Sequence, residues 1–316
     1  MGLSSNRVGA IDCGTNSIRL LIADVVDGKL RDVHREMRIV RLGQGVDATG
    51  EFAPEALART EAALADYAAL MAEHSVTAVR MVATSAARDA GNRDEFFAMT
   101  ARLLGKVVPG SVAEVITGTE EAGLSFRGAV GELDPAAGPF VVVDLGGGST
   151  ELVRGDTTVQ ASFSADIGCV RLTERCLHSD PPTADEVEQA RVVARDGLAE
   201  ALRVVPVEGV HTWVGVAGTM TTLSALAQGM TEYDPEAIHL SRIGFDDLLA
   251  VCEQLIGMTK AERLALGPMH AGRADVIGGG ALIVEELAAV FRREAGIGEL
   301  VVSEHDILDG IALSIA

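Results

Sequence analysis

The chain has 316 residues, enough for about two domains of ordinary size. It is 48% hydrophobic and 23% charged, which excludes a disordered chain, and its 3% aromatic content offers few stacking platforms for single-stranded nucleic acid. Its 46 acidic and 26 basic residues give a net charge of −20. That charge argues against a nucleic-acid-binding protein, because such binding depends on cations that contact phosphates.

The cysteines and the apolar segments indicate the cellular environment in which the protein is expected. Four cysteines without a C-x-x-C pair predict neither a disulfide framework nor a zinc ribbon. No apolar run reaches ~18 residues, and the first 16 residues lack the apolar stretch of a signal peptide. We therefore expect a cytoplasmic protein with reduced thiols that binds neither membranes nor nucleic acid.

The first half of the chain predicts a hairpin-rich start followed by alternating helices and strands. Residues 7–25 read as two apolar strands around a tight polar turn, and Asp27-Gly28 predicts a hairpin turn into a third strand. A helix over 54–73 starts at Pro54, a residue favoured in the first helical turn. The remaining elements are predicted as a strand (78–83), a helix (about 92–104), a strand (112–116) and a helix from 119.

The second half opens in the same way. The stretch FVVVDLGGGSTELV predicts a buried strand, a glycine-rich turn and a second strand, and Gly155-Asp156 turns into a third. The elements that follow are predicted as helices near 168–177 and 183–202, a strand over 211–216, a helix from 219, helices at about 244–256, 260–266 and 273–290, a strand over 300–302 and a helix over about 305–315.

The two openings align without a gap, residues 11–17 against 143–149, and Asp, Gly and Ser recur at equal spacing. The alignment predicts an α/β fold with a duplicated βββαβαβα unit and a seam in the loop 131–139, which has a linker's composition. The predicted domains are 1–131, completed by the helix 305–316, and 132–304. Two copies that face each other would put the two turns on opposite walls of one cleft.

The two repeated turns have the composition of phosphate-binding loops. Glycines let successive backbone N–H groups converge on an anion, hydroxyls add donors, and an Asp at the end of the preceding strand can hold a hydrated Mg²⁺. One such turn is weak evidence, but two in register are more specific. The predicted phosphate-binding residues are Gly14, Thr15, Asn16 and Ser17 in the first turn and Gly146, Gly147, Gly148, Ser149 and Thr150 in the second; the predicted metal ligands are Asp144 and its counterpart Asp12.

The duplicated turns resemble those of the actin-like ATPase, Hsp70 and sugar-kinase clan. Within it, the motifs most resemble the exopolyphosphatase and guanosine pentaphosphate phosphohydrolase (Ppx/GppA) family. They are IDCGTNSIRLLI at the start, ATSAARDAGNRDEF at 83–96, TGTEEAGLSFRGAV at 117–130, VDLGGGSTELV at 143–153, GCVRLTE at 168–174, GVAGTMTTL at 215–223 and GRADVIGGG at 272–280. The resemblance implies duplicated actin-like (RNase H-like) domains and Mg²⁺ as cofactor, with Mn²⁺ as a substitute.

The resemblance also implies roles for two glutamates. Glu121, by its place in the motif, is the general base or the group that orients the attacking water. Its neighbour Glu120 points about 100° away on a helix and reads as a solvated carboxylate at the helix N-terminus. Glu151 shares a strand face with Ser149, and the resemblance makes it a second catalytic or metal-linked carboxylate, whereas by itself it could be an exposed charge on an edge strand.

Some arginines are candidates for phosphate contacts, and others are expected to be solvated surface charges. Arg88 follows a strand end, where sites of α/β sheets often lie, and could contact a phosphate oxygen. Arg171 is a candidate for positioning a phosphate chain. The run of Arg31, Arg35, Arg38 and Arg41 would alternate faces on a strand and is more typical of a solvated edge.

The function that the resemblance implies is Mg²⁺-dependent removal of terminal orthophosphate from inorganic polyphosphate. Three alternatives stay open: hydrolysis of pppGpp to ppGpp, ATP binding by an actin-like or sugar-kinase-like protein, and a non-catalytic sensor of polyphosphate or alarmone. The resemblance leaves a homodimer open. The stretch 303–310 departs from the family's closing motif, because it lacks the Gly and the Arg of that motif. The charge of −20 predicts a preference for short chains, because a long polyanion is repelled outside the site.

Overall fold

The structure is a computed structural model that describes residues 6–316. Residues 1–5, which belong to the 16-residue stretch considered above as a signal peptide, lie outside the described part. The chain divides into two compact units. The first, here called the N-terminal unit, comprises the described residues up to Gly128 together with Ile307–Ala316. The second, the C-terminal unit, comprises Ala129–Asp306.

The N-terminal unit contains a five-stranded sheet with the order β3-β2-β1-β4-β5. Strands β1, β2 and β3 form two antiparallel hairpins, and β4 and β5 continue the sheet in parallel to β1. The strands are β1 (Asn6–Cys13), β2 (Ser17–Val26), β3 (Lys29–Ile39), β4 (Ala78–Ala83) and β5 (Glu114–Val115).

The C-terminal unit repeats this topology and adds one strand. Its sheet has the order β10-β11-β9-β6-β7-β8, in which β8-β7-β6-β9-β11 corresponds strand for strand to β3-β2-β1-β4-β5. The duplicated unit predicted from the sequence is therefore confirmed, while the short antiparallel edge strand β10 was not predicted. The strands are β6 (Phe140–Leu145), β7 (Thr150–Gly155), β8 (Val159–Ala165), β9 (Thr212–Val216), β10 (Ser241–Gly244) and β11 (Glu299–Val302).

Thirteen α-helices are found in the described chain, and the long ones match the predicted segments within a few residues. They are α1 (Val46–Thr49), α2 (Pro54–Glu73), α3 (Ser85–Asp89), α4 (Arg93–Leu104), α5 (Gly118–Val130), α6 (Cys169–Cys176), α7 (Ala184–Val204), α8 (Ala217–Ala227), α9 (Pro235–Ile238), α10 (Phe245–Gly257), α11 (Lys260–Leu264), α12 (Ile277–Glu294) and α13 (Ile307–Ser314). None of them, within residues 6–316, combines the length and the apolar character needed to cross a membrane.

Local chemistry explains where the long helices begin. Pro54 occupies the first turn of α2, where its missing N–H leaves no hydrogen bond unmade. Helix α7 begins with a capping box, in which Thr183 accepts from the backbone N–H of Glu186 and Glu186 accepts from the backbone N–H of Thr183. In the core of the C-terminal unit, Trp213 lies edge-on to Phe245 and Phe291, with ring centroids 5.6 and 4.8 Å away.

Helix α13 completes the N-terminal unit by packing on β1 and β2, and two contacts hold it there. Gly310 permits a close approach, because a Cβ at this position would lie 2.1 Å from the carbonyl oxygen of Leu124. Arg35 donates to both carboxylate oxygens of the buried Asp309, at 2.6 and 3.2 Å. Arg35 is therefore not the solvated edge charge that the arginine run predicted, because it binds a carboxylate 274 residues away in sequence.

Candidate functional site

The first repeated turn joins β1 to β2 and is closed by a hydrogen bond from the N–H of Gly14 to the carbonyl of Ser17, at 3.0 Å. The carbonyls of Thr15 and Asn16 accept from N–H groups of the segment 40–43, which covers one side of the turn. Thr15 is buried, and its hydroxyl has no hydrogen-bond partner among residues 6–316. A buried hydroxyl of this kind is suited to a polar ligand that the protein itself does not provide.

The second turn joins β6 to β7 and is closed in the same way, by a bond of 3.0 Å from the N–H of Gly146 to the carbonyl of Ser149. Here the first turn of α6 covers the loop. The N–H of Cys169 donates to the carbonyl of Gly146, and the next two N–H groups of the helix donate to the carbonyl of Gly147. The carbonyls of Gly146 and Gly147 are therefore directed toward α6.

This arrangement leaves backbone donors on the other side of the loop. In a trans peptide the C=O of one residue and the N–H of the next point in opposite directions, so the N–H groups of Gly147 and Gly148 point away from α6. No hydrogen-bond acceptor contacts either group in the described part of the chain. Two adjacent outward N–H groups on a glycine loop form a concavity that attracts anions. Gly168 makes the packing possible, because a Cβ there would lie 2.4 Å from the carbonyl oxygen of Gly147.

The carboxylates at the two strand ends have different partners. In the N-terminal unit Asp12 lies opposite Arg19 in the β1–β2 register and accepts from its Nη2 at 2.7 Å and its Nε at 3.0 Å. In the C-terminal unit Asp144 lies opposite Glu151 in the β6–β7 register, so two carboxylates share one face of the sheet. Both are buried, Asp144 with 6% and Glu151 with 1% of its surface exposed.

The pair in the C-terminal unit has the chemistry of a divalent-cation site. Carboxylates directly opposite each other repel, and burial strengthens that repulsion, unless a cation or a proton lies between them. Ser164 donates to Oε1 of Glu151 at 2.7 Å, which orients this carboxylate. Oxygen ligands of this kind suit Mg²⁺. In the N-terminal unit the corresponding carboxylate, Asp12, pairs with Arg19.

The N-terminal unit contains a third carboxylate, Glu121, in the first turn of α5. Arg88, at the end of α3, donates from Nη1 to Oε2 of Glu121 at 2.6 Å and to the carbonyl of Ile116 at 3.2 Å. Only 7% of Glu121 is exposed. Its neighbour Glu120 is exposed and forms an ion pair with Arg80, so the two consecutive glutamates have different surroundings, as the helical geometry predicts.

Burial raises the pKa of Glu121 above the ordinary glutamate value, and the negative charge of Asp12 acts in the same direction. The Arg88 guanidinium and a hydrogen bond from Thr84 oppose this rise, because both stabilise the ionised carboxylate. The net direction is upward. A carboxylate with a raised pKa is a stronger proton acceptor than an ordinary glutamate, which is the property that a general base requires.

The other predicted phosphate ligands lie in or beside the second turn. Ser149 is buried at the end of the loop, and Arg171, in the first turn of α6, is buried and lies 3.3 Å from a carboxylate oxygen of Asp166. The prediction for Thr150 needs correction: its hydroxyl donates its proton to the carbonyl of Ile167 at 2.6 Å, so it has no proton for a phosphate oxygen.

Sequence reasoning missed two cations, Arg19 and Arg273. Arg19 aligns with Glu151 in the internal repeat, so the alignment contained a signal for it. Arg273 donates to the Thr222 hydroxyl at 3.2 Å and packs on Gly218, where a Cβ would lie 2.3 Å from the guanidinium carbon. No carboxylate in the described chain pairs with Arg273, and its motif GRADVIGGG carried no role for it.

Comparison with known proteins gives a match over nearly the whole chain. The model of the Ppx/GppA phosphatase family matches residues 21–315. The chain is 70% identical over 318 aligned positions to Exopolyphosphatase 2 of Mycobacterium tuberculosis, and the match covers 99% of this chain and 100% of that protein.

Solved structures of the same family have the same fold. A crystal structure of an exopolyphosphatase-like protein is 44% identical, with a TM-score of 0.91, and the match covers 99% of this chain and 98% of that one. The Aquifex aeolicus member of the Ppx/GppA family is 33% identical, with a TM-score of 0.79, and the match covers 98% of this chain and 96% of that one. The two repeated sheets thus belong to the fold of this family, in agreement with the duplicated α/β unit that the sequence predicted.

Proposed function

Since the chain belongs to the Ppx/GppA phosphatase family, we propose that it is an exopolyphosphatase, which hydrolyses the terminal phosphoanhydride bond of inorganic polyphosphate and releases orthophosphate. The observation that carries the proposal is the match of the whole chain, at 70% identity, to a protein named as an exopolyphosphatase. The chemistry of each unit supports it: the N-terminal unit contains a buried carboxylate suited to act as a base, and the C-terminal unit contains backbone donors for an anion and paired carboxylates suited to a cation.

In the proposed reaction Glu121 accepts a proton from the attacking water. The water oxygen bonds to the terminal phosphorus as the bridging P–O bond breaks, and the products are orthophosphate and a chain one unit shorter. The 2.6 Å bond from Arg88 orients the carboxylate, and burial raises its pKa and makes it more basic. Arg88 is therefore proposed as a positioning residue for Glu121, in place of the direct phosphate contact that the sequence suggested.

The second turn supplies the proposed phosphate contacts. The N–H groups of Gly147 and Gly148 donate to non-bridging oxygens, and the buried Ser149 and Arg171 are proposed as further phosphate contacts. These donors are held in place by the loop closure and by α6 before substrate arrives, so little reorganisation is needed during the reaction. The first turn, with the hydroxyl of Thr15, is the corresponding group in the N-terminal unit.

Mg²⁺ is the proposed cofactor, with Asp144 and Glu151 as the residues that hold it. When bound, Mg²⁺ neutralises charge on phosphate oxygens and so favours attack by water. The support for this assignment is the opposed pair of buried carboxylates in the C-terminal unit, which is more stable with a cation than without one. Asp12 has a weaker case, because Arg19 already balances its charge.

The test is phosphate release by the purified protein with Mg²⁺ across substrates. Short and long polyphosphates, pppGpp and ATP are compared at equal phosphate concentration. We expect release from polyphosphate. Preferential release from pppGpp would instead assign the protein to alarmone hydrolysis, and binding of ATP without turnover of any substrate would exclude the proposed enzyme.

The glutamates of α5 provide a matched pair of variants for the mechanism. Glu121→Gln keeps the shape of the side chain and removes its basicity, so we expect a loss of about 10²–10⁴-fold in kcat. Glu120→Gln changes the adjacent exposed residue and serves as the control, with near-normal kcat. Full activity in Glu121→Gln would exclude Glu121 as the base while leaving the substrate assignment intact.

A further inference from the structure

A second cluster of metal-binding side chains lies in the C-terminal unit, on segments that do not form the glycine-rich turn. Within the described residues it is the one group of three histidine, cysteine or carboxylate ligands whose donor atoms all lie within 4.8 Å of one another. It consists of Glu132, His239 and His305. Nothing in the proposed hydrolysis uses these side chains.

The donor atoms converge closely. Nε2 of His239 lies 2.8 Å and Nδ1 of His305 lies 3.9 Å from Oε2 of Glu132. The two imidazole rings are adjacent, with centroids 4.5 Å apart and planes inclined by 37°. Tetrahedral ligands at 2.0–2.1 Å from a metal are about 3.3 Å apart, so small side-chain rotations would bring all three donors to one ion.

The backbone around the cluster is held by hydrogen bonds. His239 ends helix α9, whose first turn is capped by Asp234. His305 follows β11, and the Ser303 hydroxyl both donates to the His305 carbonyl at 2.8 Å and accepts from the His305 N–H at 3.0 Å. The N–H of Glu304 donates to Nδ1 of His239 at 3.3 Å, which fixes that ring. The two Ser303 contacts hold the backbone that carries His305, and contacts around metal ligands have this orienting role.

We propose that Glu132, His239 and His305 bind a Zn²⁺ ion. Two imidazoles and one carboxylate are a ligand set that suits zinc, whereas Mg²⁺ prefers oxygen ligands alone. Three protein ligands leave the fourth tetrahedral position to water. The side chains are 57%, 19% and 33% exposed in the order given, so the ion can enter from solvent.

Two hydrogen bonds of His239 must change when the ion binds. Because Nδ1 of His239 accepts from the Glu304 N–H, its ring proton is on Nε2 and is donated to Glu132. Metal binding at Nε2 replaces the hydrogen bond to Glu132 and moves that proton to Nδ1, so the 3.3 Å bond from the Glu304 N–H is given up as well. The bond from the Glu304 N–H is long and therefore weak. Coordination of the ion by two nitrogens and one oxygen compensates for its loss.

The position of the three ligands in the chain gives the ion a structural role. Glu132 is the fourth residue of the C-terminal unit and His305 is the last but one. An ion bound to both, and to His239 between them in sequence, would fasten the two ends of this unit to each other. Binding to the folded unit alone would raise its stability in proportion to the zinc concentration.

The experiment uses untagged full-length protein stripped with EDTA and titrated with Zn²⁺ or Mg²⁺ by calorimetry, together with thermal unfolding. We expect one Zn²⁺ per chain, a Tm that rises with Zn²⁺, and no Mg²⁺ binding at the cluster. Affinity for Zn²⁺ should fall at least tenfold in His239→Ala, His305→Ala and Glu132→Gln, since even supporting contacts contribute about 10–100-fold. His178→Ala, at an exposed histidine outside the cluster, should bind normally.

Crystals grown with Zn²⁺ give a second readout that does not depend on the stability of the variants. An anomalous peak at the zinc edge bonded to the three side chains would support the site. A peak elsewhere only, or equal zinc affinity in the wild type and in folded Glu132→Gln and His305→Ala, would overturn it. Phosphate release is not a readout here, so failure of the proposed hydrolase function would leave this result unchanged.

Discussion

Arg88 donates a 2.6 Å hydrogen bond to Glu121, and the two form an ion pair in which only 9% of the Glu121 side chain is exposed. Burial raises the pKa of Glu121 and Arg88 lowers it, so the two influences act on one carboxyl in opposite directions. Arg88 thus favours the ionised form of Glu121 and opposes the effect of burial. Removing the positive charge leaves burial and Asp12, which raise the pKa of Glu121, and the hydrogen bond from Thr84, which lowers it and is the smallest of the named causes.

Arg88→Gln should therefore shift the acidic limb of the pH profile of kcat/KM to higher pH, because a larger fraction of Glu121 is protonated at any given pH. Activity at neutral pH should fall, because fewer molecules then have Glu121 in the ionised form that accepts a proton. Arg88→Lys keeps the charge and should return the limb toward its original position. An acidic limb that does not move in Arg88→Gln would contradict the positioning role.

The packing of Gly168 on the second turn predicts a loop-specific effect. In Gly168→Ala the added methyl group would lie 2.4 Å from a backbone oxygen and 2.7 Å from the N of Gly148, so the loop must shift. The backbone of Gly168 is extended, so conformational strain is not involved. We expect KM for polyphosphate to rise about tenfold or more, because an anion site depends on close positioning of its donors.

Gly257→Ala is the control for this substitution, because nothing lies within 4 Å of a Cβ at the end of α10. Its KM should equal that of the wild type. Steady-state kinetics on both variants, with circular dichroism to establish folding, decides the matter. A normal KM in folded Gly168→Ala would show that the loop does not bind the substrate.

The different partners of Asp12 and Asp144 predict different responses to Mg²⁺. Asp144→Asn removes one of two opposed carboxylates, so the Mg²⁺ concentration for half-maximal activity should rise about tenfold or more. Asp12→Asn removes a carboxylate that Arg19 already neutralises and should shift that concentration less. Activity titrations with Mg²⁺ and with Mn²⁺ measure both. A larger shift in Asp12→Asn would reverse the assignment.

The ion pair between Arg35 and Asp309 predicts a stability effect in the N-terminal unit. Asp309 is buried, so Asp309→Asn removes the ion pair that connects Arg35 to α13, while Arg35 keeps its ion pair with Asp32. We expect a loss of about 1.5–3 kcal/mol in the free energy of unfolding, typical of a hydrogen bond to a charged group. Urea unfolding measures it, and a double-mutant cycle with Arg35→Gln isolates the pair. Additive effects of the two substitutions would show that the pair contributes nothing.

Local patterns and the internal repeat predicted the strands, the long helices and the two turns, because hairpins and helix starts depend on residues close in sequence. These patterns did not predict contacts between residues that are far apart in sequence. The strand β10 has four residues, and Arg35 and Asp309 are separated by 274 positions. The pairing of Arg88 with Glu121 is of the same kind, since each residue was singled out alone and only the folded sheet brings them together.

The net charge of −20 predicts that turnover depends on the length of the polyphosphate and on the salt concentration. A polyphosphate much longer than the site extends into a field that repels it, over a distance of about 8 Å at physiological ionic strength. The proposed contacts attract the chain end locally, through backbone N–H groups, a cation and Arg171. Turnover of short chains should therefore exceed that of long chains at low salt, and the difference should shrink as salt or Mg²⁺ is added. Equal or faster turnover of very long chains at low salt would mean that the surface along which the chain lies is not repulsive.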